Sequence, residues 1–275
     1  MGPRTLIATW KRSSHDQVPL LAAGVAFYGF LALFPAIIAG VLLYGLVASP
    51  VTVAEQSAKL AGALPSDAAS LITGQMDSIT STAGGSLGIG LVISIAVALW
   101  SASGGIGNLV TAINEAFGCE DSRGFIKKKA IALGLTLGAV AFISVAIGLV
   151  AVAPAVFDSF DNFAPVRWLL EIGRWVVLFL VIAGALTVLY RIAPDRGDDA
   201  QTPRAGVIAA TFIFLVASLG FSLYVDNFGS YGKTYGALAG VVALLLWLWV
   251  SAYAVLFGAE LEAVSSQSKD VPTGD

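Results

Sequence analysis

Charged residues are spread so unevenly along this 275-residue chain that long runs contain none. Residues 17–54, 78–114, 130–157, 205–225 and 234–259 each exceed 20 residues without Asp, Glu, Lys or Arg, and 175–190 adds another 16. A helix needs about 20 mostly apolar residues to cross a hydrocarbon core ~30 Å thick. Within lipid only helices and closed barrels satisfy their own backbone groups, and these runs are too long for barrel strands. The pattern predicts an all-α polytopic membrane protein with six transmembrane helices. They are expected at residues 20–47, 87–103, 131–156, 169–191, 205–225 and 237–259, with the second able to continue to 117.

The polar segments between these runs carry their own signals. Residues 3–14 suit a short amphipathic helix, with Leu6, Ile7 and Trp10 on one face and Lys11 and Arg12 beside it. Such a helix lies on a membrane surface. Asp16 is placed to cap the first span and Pro19 suits its opening turn. Pro35, inside that span, removes one backbone bond and predicts a kink. Residues 48–86 form the longest loop, read as two short helices packed on the outer surface. Residues 1–263 are expected to form one transmembrane domain, with 264–275 a short polar tail. No repeat of 20–50 residues is visible, and unequal loop lengths do not support a 3+3 inverted repeat.

Composition narrows the function classes. Hydrophobic residues make up 57% and charged residues 12%, with mean hydropathy +0.85. Soluble domains are about a quarter charged, and six spans with short loops leave no room for a soluble catalytic domain. Arg4, Lys11 and Arg12 precede an apolar run, Val18 to Val47, that is far longer than the core of a signal peptide, so it is read as a retained span. One cysteine, Cys119, excludes an internal disulfide and a thiolate cluster, and one histidine, His15, excludes a multi-histidine metal site. A cytoplasmic N-terminus puts eleven Lys and Arg on the inner side and four on the outer, so both termini are expected to be cytoplasmic. The run Lys127–Lys129 is the strongest single anchor, and contact with anionic lipid is its other reading.

Polar groups within spans are the default functional candidates. The richest stretch runs from Trp100, Ser101 and Ser103 through Gly104, Gly105 and Gly107 to Asn108, Asn114 and Glu115. On a helix Ser101, Asn108 and Glu115, spaced seven apart, share a face. Close packing with a helix end and the lining of a substrate path both remain open. Glu260 stands at the adverse, negative end of the last span's dipole and calls for a cation, for which Arg191 is the expected partner. Glu262 points elsewhere and is expected to be solvated. Gly134/Gly138 and Gly236/Gly240 have the spacing of close helix crossings. Trp247, near the middle of the last span, reads as core or as a cavity wall. No nucleophile–base–orienter set and no His/Asp/Glu cluster at metal spacing appears, so no enzyme and no cofactor are expected.

Several motifs resemble the YihY/BrkB family of bacterial inner-membrane proteins, formerly labelled ribonuclease BN-like. They are Ala22-Ala23-Gly24-Val25-Ala26-Phe27-Tyr28 with Leu33-Phe34-Pro35, Leu99-Trp100-Ser101-Ala102-Ser103 with Ala112-Ile113-Asn114-Glu115-Ala116-Phe117, Leu189-Tyr190-Arg191-Ile192-Ala193-Pro194, Tyr235-Gly236-Ala237-Leu238, and Leu246-Trp247-Leu248-Trp249 with Gly258-Ala259-Glu260-Leu261. They occur in the expected order over residues 5–263. The resemblance implies a six-span inner-membrane protein whose family has carried both a ribonuclease and a serum-resistance name. It draws attention to Tyr28, Pro35, Trp100, Asn114 and Arg191 beside the candidates above.

Two functional expectations follow. The first is a transporter, exporter or translocator of a lipid-like or amphiphilic substrate, because few charges line the spans. The second is a non-transporting membrane scaffold or envelope-assembly factor. Ribonuclease activity ranks below both, since clustered carboxylates and a basic nucleic-acid track are missing. Membrane lipids and an amphiphilic substrate are the expected partners, with no nucleic acid, and a homo-oligomer stays open.

Overall fold

The computed structural model describes residues 3–47, 87–147, 149, 164–197, 202–227 and 237–270. Among them are seven α-helices and no strand: α1 (Pro3–His15), α2 (Val18–Val47), α3 (Leu87–Phe117), α4 (Phe125–Ile147), α5 (Ala164–Ile192), α6 (Ala205–Asn227) and α7 (Ala237–Asp270). Six of them, α2 to α7, are long and apolar enough to cross a membrane. The two short helices expected between 48 and 86 lie outside the described residues, as does Gly236.

The helices follow the charge-free runs closely, and they differ where polar residues join without breaking the helix. The helix α3 continues through Gly104, Gly105 and Gly107 to Phe117, and Gly118, at φ +65°, ends it. That left-handed conformation suits glycine after a helix, where it lets the last amides turn back: Gly118 N donates to Glu115 O and Cys119 N to Asn114 O. The helix α7 extends beyond the apolar run to Asp270, through Glu260, Glu262 and residues expected to begin a polar tail. The helix α2 runs through Pro35.

The chain divides into two compact units, Met1–Phe30 with Ile106–Asp275, and Leu31–Gly105. In the second, Ser103 is buried and donates to Trp100 O at 2.7 Å, a bond back along its own helix, while Trp100 and Ser101 are exposed. In the first, α6 packs along α7, α1 rests on α7, and α5 packs on α6 and α4. The α6–α7 crossing is close because two glycines meet there. A Cβ placed on Gly258 would stand 2.5 Å from Ala210 Cβ and 2.7 Å from Gly206 O, while one on Gly206 would run into the Gly258 carbonyl. Gly134, Gly138 and Gly240, by contrast, have nothing within 4 Å of such a carbon. The helix spacing of those glycines is correct, but no described residue comes into contact distance of them.

Candidate functional site

Polar side chains of the first unit gather at one end of its helices. The N-terminal helix α1 is held there by an inverted amphipathic logic. Thr9 and Ser13, small and polar, are its buried residues, whereas Leu6, Ile7 and Trp10 are exposed, Trp10 by 62%. Short hydroxyl side chains let α1 lie close to α7, and Thr9 Oγ1 satisfies itself on Thr5 O at 2.9 Å. The apolar stripe that sequence assigns to a membrane surface is thus left exposed.

Arg12, expected beside that surface, instead turns inward. Its Nη2 donates to Ala116 O of α3 at 3.2 Å, its Nε donates to Asp16 Oδ2 at 3.4 Å, and the same Nε stands 2.9 Å from Glu260 Oε2. The cation opposing Glu260 is therefore Arg12, not Arg191, which is exposed. Only the fold brings the two ends of the chain together. Glu260 is fully buried, and its contact with Nε is close enough for the charges but lacks hydrogen-bond alignment. Asp16 does not serve the first span as expected. Its carboxylate faces Arg12 and, at 2.9 Å, His15 Nδ1. Burial pushes the Asp16 carboxyl up, but hydrogen bonds with His15 and Arg12 outweigh that and hold it below the usual carboxylate range. The chain enters α2 instead through Gln17, at φ +52°, whose carbonyl receives the amides of Leu20 and Leu21. Beside this cluster lies a polar cleft of about 320 Å³ lined by His15, Asp16, Gln17, Leu21, Thr111 and Glu115.

Asn114 is the centre of a second network. It is buried; its Nδ2 donates to Val110 O at 2.9 Å and Ala193 O at 3.2 Å, and its Oδ1 accepts from Asp195 N at 2.8 Å. Arg123 donates to the same Ala193 O at 2.7 Å and to Ile192 O at 3.3 Å. These carbonyls end α5, where a helix has no amides left to offer them. Arg123 also meets Asp121 at 2.7 Å, and Asp195 accepts from Ser122 N and Oγ at 3.0 and 2.8 Å. The bond from Arg123 holds the Asp121 carboxyl low, and the bonds from Ser122 hold Asp195 low. Burial pushes the neighbouring Cys119 thiol up.

Glu262 completes this end and corrects the expectation that it is solvated. It is buried, and Oε2 accepts from Arg204 N at 3.0 Å and Gly206 N at 2.7 Å, so α7 supplies the cap for the start of α6. Tyr190, fully buried, donates to Val255 O, and Arg196 reaches Tyr190 O at 2.6 Å while lying 4.3 Å over the Phe117 ring.

A cavity of about 580 Å³ lies between α3, α4, α5, α6 and α7. Its walls include Ile106 and Leu109, Leu135 and Phe142, Ile182, Leu186 and Leu189, Phe214 and Val255, and no polar residue among those described lines it. The residues that α3 contributes are Ile106 and Leu109, while Asn108 is half-buried elsewhere on that helix and Glu115 is exposed on the polar cleft. Tyr28 is exposed with its ring edge-on to Phe27, and Pro35 is half-buried in the other unit. Trp247 meets Phe214 edge-on at 6.2 Å, and Trp249 Nε1 donates to Pro19 O at 3.0 Å. Sequence reasoning missed Arg12, Arg123, Asp195, Tyr190 and the role of Glu262. Each acts on a group remote in sequence, and for all but Tyr190 the only signal was charge placed at span ends.

The family model for virulence factor BrkB matches residues 9–275. The ribonuclease-like protein YfkH of Bacillus subtilis strain 168 is 28% identical over 256 residues, covering 91% of each chain. A UPF0761 membrane protein of Haemophilus influenzae strain 86-028NP is 27% identical over 92% of this chain and 91% of its own, and one from Alteromonas mediterranea reaches 46% over 30% of each. No solved structure matches.

Proposed function

The chain belongs to the BrkB virulence-factor family, and from that premise we propose that it moves a lipid-like or amphiphilic molecule across, or between the leaflets of, the membrane it spans. The observation that carries this reading is the cavity of about 580 Å³ whose described lining residues are all apolar. Ligand pockets commonly measure about 300–1,000 Å³, and walls of apolar side chains favour an acyl chain over a polar solute. The polar end is read as cytoplasmic, because Arg4, Lys11, Arg12, Arg123, Lys127, Arg196 and Arg204 gather on α1, the loops at that end and the start of α4. Enzyme activity has no place in the proposal: Glu262 is engaged with backbone amides and Glu260 faces Arg12.

The test is reconstitution in vesicles containing phospholipid with a fluorescent headgroup, followed by quenching from outside. The expected result is faster exchange than in protein-free vesicles, falling to that background when Gly138→Trp fills the cavity in protein that still elutes as a single folded species. Exchange at the background rate with the unaltered chain removes the proposal for lipid. The same vesicles loaded with an amphiphilic dye extend the test to that class. Without flux in either, the non-transporting scaffold is the better reading, favoured by the same lack of charge in the cavity walls.

A further inference from the structure

The Nε of Arg12 carries one hydrogen and faces two carboxylates. That hydrogen goes to Asp16 Oδ2, and Nη2 is taken by Ala116 O. Glu260 Oε2 lies 2.9 Å from the same Nε, yet both Glu260 oxygens are buried without a donor. An anionic carboxylate with no hydrogen bond, shut away from water, is among the costliest arrangements a protein can hold. Asp16 Oδ2 and Glu260 Oε2 both stand against that one Nε, at 3.4 and 2.9 Å, and two carboxyl groups so placed form a hydrogen bond with each other only when one carries a proton. The charge count agrees. Glu260 faces Arg12 on α1, Asp16 in the turn and Glu115 on α3, with His15 reached through Asp16. On the α5 and α6 side, Tyr190, Arg196 and the Arg204 amide serve Val255, Phe117 and Glu262. Asp16 and Glu260 thus share one fixed cation, and Glu115 adds like charge on the cleft beside Asp16.

We propose that Asp16 and Glu260 form a proton-binding site: the pair holds one proton as a carboxyl–carboxylate bridge under α1, and its presence keeps α1 docked on α7. The proton belongs to the pair rather than to either residue. It exchanges with water through the cleft lined by His15, Asp16 and Glu115. When the proton leaves, Asp16, Glu260 and Glu115 repel one another around Arg12, and the seat of α1 weakens. This goes beyond the transport reading and stands whether or not lipid moves.

The experiment uses the full chain in lipid nanodiscs, with Cys119→Ser and spin labels at Ala8 and Gln267, both exposed. The distance between α1 and the end of α7 is followed from about pH 5 to about pH 10, a range that brackets the titration of buried carboxyl groups. A single short distance at low pH giving way to a longer, broader population at high pH is expected. Glu260→Gln, which stays neutral and can donate to Asp16, should keep the short distance throughout, and Glu262→Gln should leave the pH response unchanged. In infrared pH-difference spectra the protonated carboxyl band should disappear in Glu260→Gln and in Asp16→Asn. A distance that does not respond to pH in the otherwise unaltered chain overturns the proposal, whatever the variants do. So does a carboxyl band that survives both substitutions.

Discussion

Replacing Gly206 by alanine tests the tightest contact in the fold. The added carbon would meet the Gly258 carbonyl and stand 2.7 Å from Glu262 Cβ. Carbon atoms pack at about 3.5–4.0 Å, so α6 and α7 must part by roughly 1 Å. Overfilling of this kind costs about 1–3 kcal/mol. The parting also stretches the 2.7 Å bond from Gly206 N to Glu262, a cap worth about 1 kcal/mol. Against this, alanine is the better helix former by about 0.8–1.0 kcal/mol. The net loss is about 1–3 kcal/mol, which for a chain of this size lowers Tm by about 2–12 °C. Thermal unfolding followed by tryptophan fluorescence in detergent measures it. Gly240→Ala on α7 is the control: nothing lies within 4 Å of its added carbon, so only the helix preference acts and Tm should hold or rise. Equal or higher Tm in Gly206→Ala than in Gly240→Ala would refute the close crossing.

Other consequences can be measured in the same way. Glu262→Ala leaves the Arg204 and Gly206 amides without their acceptor and should cost about 0.5–2 kcal/mol by Tm, more than truncation of the exposed Gln267. Asn114→Ala and Arg123→Ala both strip Ala193 O, so their double-mutant cycle should be non-additive by about 0.5–3 kcal/mol; strict additivity would mean that the two do not act on one carbonyl. Asp121 and Asp195 are held below the ordinary value of about 3.9. Their contribution is therefore full above about pH 4 and lost only as pH falls further, through their folded values. Tm measured against pH in Asp121→Asn should lose part of that acid-side decline and be unchanged in slope at neutral pH. Cys119, whose thiol burial pushes up, should alkylate more slowly near neutral pH than a cysteine placed at the exposed Ala8.

The spans could be read from sequence because they depend on a local sum. Every apolar run but the 16-residue 175–190 is long enough to leave water by itself, whatever its neighbours do, and the helix must then satisfy its own backbone. That is why α2, α3 and α6 begin or end within a few residues of the charge-free stretches. Asn114 and Glu260 were visible for the same reason, as polar groups where a polar group is costly. Their partners were not. Arg12 and Glu260 come from the two ends of the chain, and Arg123 and Asn114 converge on Ala193 only once α3, α4 and α5 are packed together. Nor does spacing say which glycines meet: Gly134 and Gly138 have the crossing pattern but no described atom within 4 Å of an added Cβ, while Gly206 and Gly258, on different helices, interlock. Hydropathy is a property of one segment, so sequence determined the helices and their immersion. Pairing of buried donors, acceptors and backbones is a property of two segments at once, and only the tertiary structure decided it.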